Sequence, residues 1–587
     1  MRKTKIIATL GPTCNEVEIM KAMIKNGMDA ARVNFSHGTY ETQTATINKL
    51  KEAREAMGIP IPMILDTKGP EIRIKTFKED KIYLNQGTTF TLTTQDVEGD
   101  EERVAVTYED LPKDVTVKSR ILLDDGLIEL QVESITDTDI ICRVVNEGFL
   151  SSRKGVNVPD VYVNLPALTE QDISDLKFGI KMGFDYVAAS FIRSANDILK
   201  IRQVLEDNGG SHIKIIAKIE SRDGVNNIDS ILEVSDGIMV ARGDLGVEIP
   251  PEEVPMVQKT LIQRSNLLGK IVITATQMLE SMTKNPRPTR AEANDVANAI
   301  FEGTDVVMLS GETANGLYPI ESISMMARIA QTSEGSREYF SKLTDIHTGL
   351  KKNITNAISF AGCATAKDIN AACIVAVTDS GFAANMVARA RPDSPILAIT
   401  TSDVVCRQLN LTWGCKPMLA DNISGNDEVF DVVEEMALKS GLAKTGDAVV
   451  ALAGVPIGIA ATTNTLKVRI VGNVLARGEA RYGKGQVQGI ARTFKVLEET
   501  DLFFEQGDIL VATKTSDSMM EYIKKAGAIV VGSWEQVDTS HAETVAMALD
   551  IPLLVANEKV VDLIGDGIAV TVDCDEGFVF NGYRAGK

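Results

Sequence analysis

The strongest constraint on this 587-residue chain is a rhythm of eight short β-rich apolar runs, each followed by a stretch with helical spacing. The runs fall at 5–10, 31–35, 62–66, 185–191, 213–220, 237–241, 270–275 and 305–309. Eight β/α units in series predict a (β/α)8 barrel of the TIM type, an α/β fold whose chemistry gathers where the strands end. A doubly wound open sheet also alternates strands and helices. The number of units, and a length near ~250 residues once one interruption is removed, favour the barrel. The strand ends read Gly11, Asn34-Phe-Ser-His37, Asp66-Thr-Lys68, Ser190-Phe-Ile-Arg193, Lys218-Ile-Glu220, Arg242-Gly-Asp244, Thr276-Gln277 and Ser310-Gly-Glu312. Polar groups thus converge on one rim. Thr289-x-x-Glu292 is a capping box that opens a helix between the last two strands.

The interruption follows the third run. Over 70–166 helical periodicity gives way to Thr- and Val-rich strands, with a hairpin signal at Asp124-Asp125-Gly126. An inserted β-barrel domain at the rim is placed to act as a lid that excludes water. The barrel then comprises 1–69 and 167–345, an α/β domain occupies 346–472, and an extra C-terminal domain occupies 473–587. The glycines at 472, 478, 483, 485 and 489 give 473–490 the character of a linker. In the α/β domain a strand runs into Thr378-Asp379-Ser380-Gly381 and then a helix, which suits either anion binding at a helix N-terminus or plain turn chemistry.

Composition narrows the partners. Sixty-one basic against 81 acidic residues leave a net charge of −20, which argues against nucleic acid or an anionic membrane. The seven cysteines are scattered and never closer than nine positions, so neither a disulfide framework nor a Cys-x-x-Cys metal site is written here. No stretch approaches 18 consecutive apolar residues and no secretory leader opens the chain. A reducing, cytoplasmic location is expected.

The chemistry concentrates at the fifth and sixth runs. Lys218 and Glu220 are two apart and face the same way in a strand. Glu220 and Asp244 suit a general acid/base pair, a salt-bridged structural pair, or ligands for a hard ion such as Mg²⁺ or Mn²⁺ that keeps waters and substrate oxygens. Lys218 either neutralises Glu220 or stabilises a transferring phosphoryl group. A Schiff-base role is opposed by the adjacent carboxylate, which keeps the lysine protonated. Arg32 projects from the same side as Asn34, and Asn34, Ser36, Asp66 and Thr67 form a nest of oxygens suited to a further cation. His37, taken alone, is a candidate helix cap.

Longer matches carry a family resemblance: Arg-Lys-Thr-Lys-Ile at 2–6, Ala-Arg-Val-Asn-Phe-Ser-His-Gly at 31–38, Leu-Asp-Thr-Lys-Gly-Pro-Glu-Ile-Arg at 65–73, Lys-Ile-Glu at 218–220, Met-Val-Ala-Arg-Gly-Asp-Leu-Gly at 239–246, Ala-Thr-Gln-Met-Leu-Glu-Ser-Met at 275–282 and Met-Leu-Ser-Gly-Glu-Thr-Ala at 308–314. Over residues 1–472 the chain closely resembles the pyruvate kinases. The resemblance implies phosphoryl transfer from phosphoenolpyruvate to ADP, giving ATP and pyruvate, the last step of glycolysis. It implies that Lys218 stabilises the moving phosphoryl group and that Glu220 and Asp244 bind Mg²⁺. Arg32 and the backbone of Gly243 and Asp244 would hold the substrate, Thr276 would lie at the enol, and Ser310 is a candidate for the proton relay. Asn34, Ser36, Asp66 and Thr67 match the family's K⁺ site, while Asn34, His37, Arg73 and Lys154 match nucleotide contacts. Glu71 matches the K⁺-requiring form of the family.

The resemblance further implies an allosteric homotetramer whose α/β domain binds a phosphorylated metabolite. The effector loop at Thr378, Ser380 and Gly381 departs from the family, because Phe382-Ala383-Ala384 replaces the usual Ser- and Thr-rich run and Asp379 adds negative charge. The tail resembles the mobile phosphohistidine domain of phosphoenolpyruvate-utilising enzymes, through Thr539-Ser540-His541-Ala542, Leu549-Asp-Ile-Pro552, Asp566-Gly567 and Val570-Thr-Val-Asp573. His541 is the candidate phosphoryl carrier. Glu535-Gln-Val-Asp538 stands where a Gly-Gly pair is usual, which favours a structural or regulatory appendage.

Overall fold

The computed structural model describes residues 1–336, 353–421, 428–454, 463–495, 503–532, 538–556 and 558–583. They form two compact units: 1–360 with 376–421 and residue 463 in the first, and 361–375, 428–454 and 464–583 in the second, as far as they are described. The division runs through the stretch expected to be one α/β domain, and the expected junction at 345/346 lies outside the described residues.

The first unit contains the eight-stranded barrel. Its strands are β1 (Lys5–Thr9), β2 (Ala30–Asn34), β3 (Met63–Asp66), β4 (Tyr186–Ala189), β5 (Lys214–Ile219), β6 (Gly237–Ala241), β7 (Ile271–Ala275) and β8 (Val306–Leu309). They close in the order β1-β8-β7-β6-β5-β4-β3-β2, and every pairing is parallel. Ile7, Ile64, Tyr186, Ile216, Met239 and Ile273 fill the interior, with Leu411 added from the later segment of the same unit. The helix after β2, Tyr40–Met57, is capped by Thr39 and ends on Gly58 in the left-handed region. Thr289 and Glu292 form the expected capping box for Arg290–Phe301.

A ring of four aspartates organises the opposite, N-terminal face. Asp29, Asp185, Asp236 and Asp305 each stand directly before an even-numbered strand and accept the backbone N–H of Ile6, Met63, Ile215 and Val272 on the preceding odd strand, at 2.7–2.9 Å. Each carboxylate also meets an arginine: Arg2 at 2.5, Arg407 at 2.8, Arg202 at 2.7 and Arg391 at 2.7 Å. The stagger of a closed barrel leaves amides unpaired at its edge. The aspartates satisfy them, and the arginines neutralise the charge so introduced. Arg391 and Arg407 come from the 376–421 segment, which is thereby fastened to this face.

Between β3 and β4 stands the inserted all-β domain. Its strands are hydrogen-bonded as a six-stranded and a two-stranded sheet around one apolar core, rather than as one continuous closed ladder. The hairpin expected at 124–126 joins Arg120–Leu123 to Ile128–Ile135, with Asp124, Asp125 and Gly126 all at positive φ. Ile128–Ile135 and Lys81–Leu84 alternate buried and exposed residues, as one-sided strands must.

In the second unit, Val474–Tyr482 and Gln486–Phe494 are long strands of a closed seven-stranded barrel, completed by Ile509–Ala512, Ala528–Gly532, Leu553–Ala556, Ala569–Asp573 and Phe578–Asn581. The expected linker at 473–490 is therefore built into a folded core as two strands that pair with different neighbours, Val474–Tyr482 with Leu553–Ala556 and Phe578–Asn581, and Gln486–Phe494 with Ile509–Ala512 and Ala569–Asp573. Gly478 and Gly483 serve close backbone approach: a Cβ at Gly478 would lie 2.3 Å from the Val555 carbonyl oxygen, and one at Gly483 2.8 Å from Pro552 Cα. Among the described residues no helix is long and apolar enough to cross a membrane.

Replacing Arg391 with Met strands a buried Asp305 carboxylate and is expected to destabilise the barrel unit by about 3–5 kcal/mol. The added substitution Asp305→Asn should recover much of the loss. Burial holds Asp305 above the ordinary carboxylate range even with Arg391 present. Its folded form therefore binds protons more readily than the unfolded chain, and the single variant's defect should shrink as pH falls. Thermal melts between pH 5 and 8 check both; an unchanged melting point in Arg391→Met contradicts the account.

Candidate active site

Period-two alternation at the end of β5 places Lys218 and Glu220 on the barrel rim, both buried. The Lys218 ammonium lies 3.2 Å from Asp66 Oδ1 and 2.8 Å from Glu220 Oε1, and donates to Ser190 Oγ at 2.8 Å. The Arg32 guanidinium donates to the other Asp66 oxygen at 2.6 Å and to Thr9 Oγ1 at 2.9 Å. Phe191, at φ +55°, donates its backbone N–H to Glu220 Oε2 at 2.5 Å. Asp244 lies in the first turn of the short helix after β6, where its charge acts on Glu220.

Charge bookkeeping explains the electrostatics. Burial by itself would lower the Lys218 ammonium, but Asp66 and then Glu220 raise it above the ordinary lysine range. Asp66 is the reverse case: burial opposes its charge, and Arg32 and Lys218 overcome that and hold it below the usual carboxylate range. Glu220 is raised by burial and by Asp244 against the pull of Lys218, and burial raises Asp244 as well. Two cations face three carboxylates, so one negative charge is left over between Glu220 and Asp244. Oxygen-only donors with surplus negative charge fit a hard divalent cation. Among the described residues no group of three or more His, Cys, Asp or Glu could hold a metal. An ion here would have to draw its other ligands from substrate and water.

The next strand ends supply polar groups on strained backbone. After β7, Thr276 and Gln277 sit at φ +68° and +54°. Arg242 braces this turn, donating to the Thr276 carbonyl at 2.7 Å and pairing with Asp295 at 2.8 Å. Thr276 Oγ1 accepts the Gly243 N–H at 2.8 Å and donates to the Ala275 carbonyl at 2.6 Å. The Gly243 amide, expected to face a substrate, is thus directed at Thr276. Ser310 follows β8, and its N–H donates to Glu312 at 2.7 Å.

The expected K⁺ ligands stand at the ends of β2 and β3, where Asn34 is in register with Asp66. Asn34 Oδ1 accepts the Ser36 N–H at 3.0 Å, Thr67 Oγ1 accepts the Ser190 N–H at 3.1 Å, and Ser36 is exposed. His37 is exposed and does not cap the following helix, because Thr39 does. At the root of the insert Arg73 is bridged to Gly155 in antiparallel fashion, and the Ile74 N–H donates to the Lys154 carbonyl at 2.9 Å, so the entering and returning chains that carry Arg73 and Lys154 run beside each other. Arg73 pairs with Glu71 at 2.7 Å and Lys154 with Asp124 at 2.9 Å. Ser190, Phe191 and Arg242 do site work that their sequence positions left unassigned.

Thr378 is buried and its hydroxyl accepts the Gly381 N–H at 3.0 Å, while Ser380 is exposed; Gly381, at φ +84°, opens the helix Phe382–Arg389. In the second unit His541 lies in the first turn of Ser540–Leu549, with Nδ1 2.8 Å from Thr515 Oγ1 and Nε2 3.2 Å from Asp517 Oδ1. Both ring nitrogens are engaged. Residues 535–537 of the substituted Gly-Gly segment lie outside the described residues.

A parallel eight-stranded barrel with a buried lysine between carboxylates on its C-terminal rim is the framework of an enzyme. Residues 1–323 match the pyruvate kinase barrel domain, 356–469 the pyruvate kinase alpha/beta domain, and 504–577 the mobile domain of PEP-utilising enzymes. The chain is 47% identical over 586 residues to pyruvate kinase of Geobacillus stearothermophilus, covering 100% of this chain and 99% of the relative. It is 45% identical over 587 residues to that of Sporosarcina psychrophila, covering 100% of each. The crystal structure of a pyruvate kinase from Cryptosporidium parvum superposes with a TM-score of 0.76 at 39% identity, covering 80% of this chain and 96% of that one. The chain belongs to the pyruvate kinase family. It is a phosphotransferase that moves the phosphoryl group of phosphoenolpyruvate to ADP, giving ATP and pyruvate, and the family uses a divalent metal and K⁺.

Arg242→Met should release the strained Thr276 turn and lower kcat by about 10- to 100-fold, the cost of a small misplacement at a reacting centre. Steady-state kinetics beside a thermal melt check this. Unchanged kcat would show that the turn holds itself.

Proposed function

We propose that the rim cluster carries the phosphoryl transfer, with Lys218 as the electrostatic partner of the moving group. The observation that carries this is the ammonium fixed between Asp66, Glu220 and Ser190. A lysine held so firmly protonated is a poor nucleophile and a good pre-organised positive charge. In phosphoryl transfer catalysis is mostly positioning and charge stabilisation. Arg32, anchored by Asp66 and Thr9, would hold the substrate's phosphate, and Gly243 and Asp244 would line its carboxylate end. Thr276 and Ser310, at the ends of neighbouring strands, would deliver the proton to the enol carbon.

Glu220 and Asp244 are the residues that would hold Mg²⁺ or Mn²⁺, and their surplus negative charge supports the assignment. Such an ion supplies neutralisation of phosphate oxygens as charge shifts between them. Asn34, Ser36, Asp66 and Thr67 would hold K⁺. Asn34, His37, Arg73 and Lys154 would meet the nucleotide phosphates, with the inserted domain as a lid over them. Since Arg73 and Lys154 are ion-paired here, nucleotide would compete with Glu71 and Asp124 for them.

We place the enzyme in the cytoplasm as an allosteric homotetramer answering to a phosphorylated metabolite. The 378–381 turn is the candidate effector loop. His541, with both ring nitrogens occupied and an acidic neighbour, is better suited to a structural role than to carrying phosphoryl groups.

Lys218→Met is expected to lower kcat by about 10³-fold or more while phosphoenolpyruvate binding falls far less, since the lost contact acts on the transferring group. Single-turnover kinetics with equilibrium binding separate the two; equal losses in both contradict the role. Replacing K⁺ with Na⁺ or a larger organic cation should remove most activity. Full activity without K⁺ would remove the K⁺ assignment and the significance given to Glu71.

A further inference from the structure

Arg193, three residues beyond Ser190 on the β4 rim, has no part in the chemistry above, yet it is one of the most firmly placed cations on the rim. Its own N–H donates to Asp197 at 3.1 Å and its carbonyl accepts from Asn227 at 2.8 Å, so the barrel fixes its backbone from both sides. Its guanidinium reaches the segment through which the insert returns to the barrel, donating to the carbonyls of Val163 and Leu165 at 2.6 Å each. That segment, 158–167, contains no helix or strand. Among the described residues, these two bonds are its polar links to the barrel. Its far side is tied to the insert, where the Asn164 N–H donates to Asp114 at 3.1 Å. A cavity of about 380 Å³, lined by Val161, Val163, Phe191, Arg193 and Asp244, lies beneath. The segment packs Val158, Val161, Val163 and Leu165 against the insert's core, so its apolar contacts belong to the insert and its polar hold on the barrel is Arg193.

We propose that Arg193 is a positioning residue that sets the insert over the rim, and through it the approach of Arg73 and Lys154 to the nucleotide. The inference rests on the assignment of those two residues to nucleotide phosphates. A planar guanidinium with donors in a fixed fork can hold two carbonyls at once and so define an orientation; a lysine at the same place holds one and leaves a pivot. The stretch Ser190 to Arg193 joins this clasp to the chemistry. Ser190 receives Lys218, Phe191 donates to Glu220, and Arg193 holds the return segment, all on one short turn.

The test uses the full chain with Arg193→Met and Arg193→Lys, followed by amide hydrogen exchange across 158–167, thermal melts, and KM for ADP and phosphoenolpyruvate measured separately. Arg193→Met should speed exchange in that segment and raise KM for ADP about tenfold, with KM for phosphoenolpyruvate changed less than about twofold and the melting point held. Arg193→Lys should fall between the two, a graded rescue that a purely structural role would not give. Unchanged KM for ADP, or equal losses for both substrates with a lowered melting point, overturns the proposal. Arg73→Ala measured alongside separates the two layers. If it raises KM for ADP and the Arg193 variants do not, the positioning role fails alone. If neither does, the nucleotide assignment is what fails.

Discussion

One buried ammonium determines what the rest of this rim can do. Lys218 could not stay charged inside a barrel without Asp66 and Glu220, and Asp66 could not stay ionised there without Lys218 and Arg32. The mutual dependence fixes the ends of β2, β3 and β5 against one another. It also leaves Glu220 and Asp244 with charge to spare, so the organisation that holds the lysine creates a place for a hard cation beside it. In the proposed roles, the electrostatic partner of the phosphoryl group and the metal ligands would thus be one network.

The scaffold that allows this is made on the opposite face. Four aspartates before the even strands close the barrel edge, and arginines balance them. Two of those arginines come from the 376–421 segment, so displacing that segment would uncover charged carboxylates at the starts of β4 and β8. Those strands end at Ser190 and Ser310. The geometry gives the α/β portion of this unit a physical hold on the strands that carry the site.

The barrel was legible because each strand is a nearly continuous apolar run, buried on both faces, that stops in charge. Lys218, Glu220 and Arg32 were legible for a related reason, since alternation along a strand decides which way each points, and Asp244 from the charge that ends the sixth run. What could not be read was carried by backbone. The Phe191 amide on Glu220, the Gly243 amide turned to Thr276, and the positive φ at Phe191, Thr276 and Gln277 leave no mark in residue type. Glycine misled at 473–490, because the residue that permits a flexible linker also permits strands to press together, and Gly478 and Gly483 do the latter. The repeated aspartate at 29, 185, 236 and 305 was a signal open to recognition, visible once the strands were in register.

The central claim is that Glu220 and Asp244 hold a divalent cation beside Lys218. Titrating the enzyme with Mn²⁺ and following water-proton relaxation tests it most directly. Wild type should bind Mn²⁺ at this site, with Glu220→Gln and Asp244→Asn each weakening it by about 10- to 100-fold or more and Arg391→Met leaving it in place. Mn²⁺ affinity unchanged in both carboxylate variants would contradict the account.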